Sequence, residues 1–198
     1  MKHFTLLVVL FFLFHFANSQ SFVLGIKAGV NRSSMSTSLG NATAEPNYGF
    51  VAGAFARAGI LGFYVQPEVQ YNQRNASIDL GNGSGTQTLS YIDVPLLAGK
   101  KILGLARVYA GPNLQFLLDA SQSGGKLPAF AQSNFNEFAL GGIAGVGVDV
   151  KKITIDLRCD FSLTDLGKKV VSQQAGTFDY STRATMFQFV LGYKFLDL

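Results

Sequence analysis

Asp156, Arg158 and Asp160 stand at alternate positions, acid, base, acid, in the stretch "ITIDLRCDF" (153–161). Side chains two apart on a β-strand share a face, so on a strand these three charges point the same way. Charges gathered like this relay protons, line an ion path, or lock into ion pairs that carry no chemistry at all. Glu68, in "FYVQPEVQYNQ" (63–73), Lys27, Asp93, Arg107 and Lys194 fall on stretches with the same alternation, which brings the set to four acids and four bases.

Other kinds of chemistry are closed by composition. Both histidines, His3 and His15, lie in an N-terminal stretch with the features of an export signal. Lys2 and His3 precede the apolar run "FTLLVVLFFLFHF", which is shorter than the roughly 20 residues of a spanning helix, and Ala17-Asn18-Ser19 supplies small residues for a peptidase. Residues 1–19 therefore read as a removed signal peptide and 20–198 as one domain. The remaining chain has no histidine, which excludes histidine-based triads and histidine-ligated metals. No metal and no cofactor is expected. Cys159 is the single cysteine, so no internal disulfide forms. Loss of one lysine with the signal lowers the formal net charge from +4 to +3, too little and too scattered for nucleic acid.

The elements that must position these charges are strands. Apolar residues make up 48% of the chain and charged ones only 14%, a sparse charge for a soluble surface. No run after the signal is long enough for a spanning helix, so entry into a membrane requires a closed barrel with every backbone group paired. Eight strands are predicted, at roughly 22–34, 48–58, 63–73, 88–100, 105–118, 137–150, 152–163 and 184–196. Tight connections at 59–62, 101–104 and 150–152 alternate with long polar ones at 35–47, 74–87, 119–136 and 164–183. The fold class is all-β: an eight-stranded antiparallel up-and-down transmembrane barrel with short periplasmic turns and four long extracellular loops.

The strand faces agree. Phe187, Phe189, Leu191, Tyr193 and Phe195 oppose Gln188 and Lys194; Ile153, Ile155, Leu157, Cys159 and Phe161 oppose Asp156, Arg158 and Asp160. A lipid-facing Lys or Arg at mid-membrane costs about 2–4 kcal/mol, and this segregation avoids it. Strand two resists sorting, because Phe55 and Arg57 share a parity. Pro67, Pro95 and Pro112 interrupt proposed strands and predict bulges or irregular pairing.

With "GIKAGVN" (25–31), "QPEVQYNQR" (66–74), "YIDVPLL" (91–97), "YAGPNLQFLL" (109–118), "GGIAGVGVDV" (141–150) and "LGYKF" (191–195), the chain resembles the PorT-type outer-membrane β-barrel domain abundant in Bacteroidota. The resemblance spans nearly the whole exported chain. It implies that the strand prolines are tolerated, and it implies a barrel whose name-giving member takes part in protein secretion. The end departs from the usual pattern, because Leu196-Asp197-Leu198 follow Phe195.

In such a barrel Lys27, Glu68, Asp93, Arg107, Asp156, Arg158, Asp160 and Lys194 point into a lumen only as wide as side chains. Buried charges persist when paired, so the expectation is a structural, charge-balanced plug, with a proton relay or ion path as the weaker reading. Arg158 is expected to pair with Asp156 or Asp160. "GGIAGVG" (141–147) reads as interior glycines making room for bulky neighbours and "GNGSG" (81–85) as a loop tip. Lys100-Lys101 and Lys151-Lys152 are solvated turns that can meet lipid phosphates or an acidic partner. Cys159 faces lipid, and Phe130 and Phe135 pack within a loop or grip a ligand. The expected function is a non-enzymatic outer-membrane barrel with outer-membrane lipid around it and a periplasmic or extracellular protein partner. A narrow solute channel and a soluble lipocalin-like carrier of a small hydrophobic ligand are the alternatives.

Overall fold

The computed structural model describes residues 20–36, 43–79, 84–123, 137–164, 170–172, 176–178 and 183–198. The signal stretch and Phe130 and Phe135 lie outside them. The strands are β1 (Gln20–Ser36), β2 (Thr43–Ile60), β3 (Phe63–Asp79), β4 (Ser84–Ile102), β5 (Ala106–Ser123), β6 (Phe138–Val150), β7 (Ile153–Ser162), β8 (Val170–Ser172), β9 (Gly176–Phe178) and β10 (Arg183–Asp197). β1 to β7 and β10 close into one antiparallel barrel in the order β1-β10-β7-β6-β5-β4-β3-β2, while β8 and β9 form a separate small hairpin inside the predicted 164–183 loop. These are the eight predicted strands, neighbour beside neighbour.

Following register partners around the wall, Phe22 leads through Ala58, Val65, Ala98, Ala110, Ala144, Cys159 and Phe187 back to β1 at Arg32. The circuit climbs ten residues (32 − 22 = 10). For eight strands that stagger sets a tilt of about 40–45° and an interior that side chains can fill. At the seam, Phe22 and Leu198 exchange two backbone hydrogen bonds of 2.9 and 3.0 Å, so the residues beyond Phe195 help to close the barrel.

Leu61-Gly62 and Leu103-Gly104 make the first two short turns, with φ of 52° and 82°, and 52° and 77°. Two consecutive positive φ values match the twist of the flanking strands, and the glycine takes the second at no steric cost. At the opposite end pairing continues into stretches whose composition reads as loop. β3 runs to Asp79 and β4 starts at Ser84, so most of 74–87 is ladder rather than loop. Antiparallel pairing uses backbone groups, which Ser, Asn, Thr and Gln supply as well as any residue.

The predicted prolines do not shift the register. Pairing lapses over Glu68-Val69 opposite Val94-Pro95, and over Leu96-Leu97 opposite Gly111-Pro112, then resumes unchanged. The register shifts lie elsewhere, between Leu24 and Gly25, Pro46 and Phe50, and Ser90 and Tyr91. A missing donor interrupts a ladder, but only an extra residue displaces it.

The two faces divide as the alternation requires. Leu157 is 57% and Leu191 48% exposed on the outside, whereas Glu68, Asp93 and Arg107 are at most 2% exposed within. Phe55 and Arg57 both point inward. The strand-two ambiguity arises because the lumen takes some apolar side chains. Gly25 opens the space that Phe55 fills; a Cβ there would lie 2.4 Å from the Phe55 ring.

Candidate functional site

The centre of the lumen is held by Glu68, supplied by β3. Arg158, from β7 across the barrel, donates from Nη1 to Oε2 at 2.8 Å and from Nη2 to Oε1 at 2.9 Å. This is the two-pronged fit of guanidinium to carboxylate. Lys27 of β1 pairs with Oε2, and Gln66 Nε2 donates to Oε1 at 2.5 Å. Arg158 Nε also donates to Tyr109 Oη (2.9 Å), which donates in turn to Asp156 Oδ1 (2.8 Å).

Towards the short turns the chain of charges continues. Arg107 pairs with Asp156 at 3.0 Å and with Asp149 at 2.9 Å, and Arg57 reaches Asp149 at 2.8 Å and Gln66 at 2.6 Å. Glycines in β6 make this possible. A Cβ on Gly147 would lie 2.3 Å from Asp156 Oδ1, and one on Gly145 would lie 2.8 Å from the Tyr109 ring. The run "GGIAGVG" thus leaves room for large neighbours, as expected.

Towards the end away from the short turns a second group forms. Arg74 Nη2 lies 3.0 Å from Asp93 Oδ2 and 3.7 Å from Asp160 Oδ2. Carboxamides complete the shell: Asn72 donates to Asp93 at 2.7 Å, and Asn113 and Gln115 donate to Asp160 at 3.0 and 3.3 Å. Each of the four lumen arginines also lies over an aromatic face, Arg74 on Tyr91 at 4.5 Å, Arg57 on Tyr64 at 5.0 Å, and Arg158 and Arg107 on Tyr109 at 5.3 and 5.8 Å. Such stacking favours a guanidinium in a desolvated site.

Such a closed barrel, apolar outside and charged within, has known counterparts. Residues 16–167 match the family described as outer membrane protein beta-barrel domain. The chain belongs to that family. Among solved structures, Neisserial surface protein A (NspA) is similar at 16% identity with a TM-score of 0.56, over 87% of this chain and 97% of that one. Ail, the attachment invasion locus protein of Yersinia pestis, is similar at 13% identity with a TM-score of 0.50, over 89% and 99%. No curated protein matches the sequence. Membership of an outer-membrane barrel family places the protein in the outer membrane of a Gram-negative cell, with the short turns on the periplasmic side.

All eight of the predicted charges, Lys27, Glu68, Asp93, Arg107, Asp156, Arg158, Asp160 and Lys194, are inside this family member's barrel. Two expectations change. Arg158 pairs with Glu68, ninety residues away, and not with Asp156 or Asp160. The reason is direction: neighbours on one strand stand side by side, whereas a long arginine reaches across the lumen. Lys194 leaves the network and pairs with Asp197 at 2.7 Å near the rim. Three partners join that face alternation alone did not select: Arg57, Arg74 and Asp149. The inner charges then balance, with Lys27, Arg57, Arg74, Arg107 and Arg158 against Glu68, Asp93, Asp149, Asp156 and Asp160. Arg74 shares the parity of Glu68 but falls in the polar stretch 74–87 that composition reads as loop, and Phe55 obscured Arg57.

Proposed function

We propose that this protein is a non-enzymatic, non-conducting outer-membrane barrel of the PorT type, exported by a cleaved signal over residues 1–19, that serves as a structural or recognition element associated with secretion. One observation carries the plugged lumen: Glu68 on β3 is clamped by Arg158 from β7 and Lys27 from β1, so ion pairs bridge opposite walls. A lumen already only side-chain wide then has no continuous water path. The motifs "GIKAGVN" (25–31), "QPEVQYNQR" (66–74) and "YIDVPLL" (91–97) support the PorT type, and that resemblance in turn supports the secretion association. Engagement of a protein partner falls to the extracellular connections or the periplasmic turns, which lie outside the plug.

A carrier for a hydrophobic ligand needs the opposite polarity, apolar within and polar without. Here Ile155, Leu157 and Phe189 face out and Asp156, Arg158 and Gln188 face in. The protein purified in detergent and inserted into a planar bilayer tests the plug. The expected result is no sustained single-channel current from the wild type, and rare openings from Glu68→Ala. Steady wild-type conductance would replace this reading with the channel.

A further inference from the structure

A groove of about 1280 Å³ winds around the outer wall, from Phe22 on β1 to Phe187 on β10, and the lumen does not explain it. Its floor is one register row of small outward side chains, Ala58, Val65, Ala98, Ala110, Ala144 and Cys159. The row nearer the turns, Phe63, Lys100, Val108, Val146 and Leu157, stands as its lower wall. On the other side Phe161 lies over Gly142, where a Cβ would come within 2.5 Å of the ring.

The floor is not level. Ala58 lies three residues before Leu61, Ala98 five before Leu103 and Ala144 seven before Lys151. A rise of four residues on strands at this tilt is roughly 10 Å. The groove therefore starts at the periplasmic headgroup level and climbs most of the way through one leaflet, whose hydrocarbon is about 15 Å thick, half of a roughly 30 Å core. An acyl chain takes this course when its headgroup sits at the membrane surface.

Lys100 marks the low end. It is exposed in an otherwise apolar row, and its ammonium lies 4.9 Å from the centre of the Phe63 ring. Among the described residues no carboxylate pairs with it. A lysine near the end of a spanning strand lifts its charge to the headgroups, where phosphate is the available anion. A second copy of the barrel fits less well: a two-fold axis beside Lys100 would set that lysine against its own copy, like charge against like, with no carboxylate between them.

The geometry points to a site for one anionic glycerophospholipid of the periplasmic leaflet, its phosphate on Lys100 and its acyl chains along the alanine floor. The site is independent of the plugged lumen and stands or falls separately from it. Native mass spectrometry of the full chain, released from nanodiscs of equal parts phosphatidylcholine and phosphatidylglycerol, tests it. The wild type is expected to retain one phosphatidylglycerol in preference to phosphatidylcholine by about fivefold, and Lys100→Gln to lose that preference. Ala110→Phe, which fills the floor, is expected to retain neither lipid while keeping the heat-shifted gel band of a folded barrel; should it not fold, Ala98→Leu takes its place. Equal retention in all variants would mean ordinary boundary lipid and overturn the site. So would dimeric wild-type particles that Ala110→Phe makes monomeric, or displacement of the lipid from wild type by inorganic phosphate alone.

Discussion

In the periplasmic half of the lumen one acid, Glu68, is gripped by two cations, whereas in the extracellular half one cation, Arg74, is shared by two acids. The first half holds Lys27, Arg57, Arg107 and Arg158 against Glu68, Asp149 and Asp156; the second holds Arg74 against Asp93 and Asp160. Each half is out of balance by one charge, with opposite sign, and only the whole lumen is neutral. The supporting groups differ as well. Glu68 takes three of its hydrogen bonds from cations, two of them from the fork of Arg158, beside single bonds from Gln66 and Gln70, while Asp93 and Asp160 share one arginine and lean on the carboxamides of Asn72, Asn113 and Gln115. A charged clamp depends on its geometry and fails when one member is lost. A carboxamide shell has spare donors and rearranges.

That difference is broken most severely at Glu68. Glu68→Ala leaves Lys27 and Arg158 buried without their acid, and is expected to destabilise the barrel by about 3–5 kcal/mol. Urea unfolding in detergent micelles, followed by the heat-modifiable gel shift, measures it. A loss under about 1 kcal/mol would mean that water already fills this half and that the clamp does not hold it together.

Direct coupling sharpens the same point. In a cycle of Arg158→Met, Glu68→Leu and the double variant, the two losses are expected to fall short of additivity by roughly 1–3 kcal/mol, because the pair is hydrogen-bonded at 2.8 and 2.9 Å. Additive losses would show that each residue acts alone.

Arg74→Ala probes the other half. Asp93 keeps Asn72, and Asp160 keeps Asn113 and Gln115. The expected cost is about 1.5–3 kcal/mol, the range for a hydrogen bond to a charged group, and below that of Glu68→Ala. The reverse order would invert the comparison and make the extracellular half the tighter one.

How much of this could be read in advance follows from what alternation encodes. A period of two assigns a face, so Asp156, Arg158 and Asp160 were legible as inward, and so was every other charge of the predicted set. Alternation does not encode depth or the partner across the barrel. The Glu68–Arg158 pair depends on the ten-residue stagger around the wall, which emerges only when all eight registers are set. Arg74 was lost to the polar composition of 74–87, since pairing beyond the membrane needs no apolar side chains. Arg57 was lost because Phe55, an apolar side chain, fills the space above Gly25 inside the lumen. The apolar outside, in contact with lipid at every position, tolerates fewer exceptions than a lumen where a ring can fill space beside a charge.

The smallest effect is expected at Lys194, the one predicted member that stands apart from both halves. Its ammonium meets Asp197 at 2.7 Å, but the Asp197 side chain is 44% exposed at the rim, where water solvates both groups. Such a pair contributes about 0–1 kcal/mol and is screened by salt. Lys194→Ala is therefore expected to cost under about 1 kcal/mol at low ionic strength and less still in molar salt, whereas the cost of Glu68→Ala changes little over the same range. Running both variants across that salt series separates rim from lumen. A salt-insensitive loss of several kcal/mol at Lys194 would place it back in the buried network, and the inner charges would then be unbalanced by one cation.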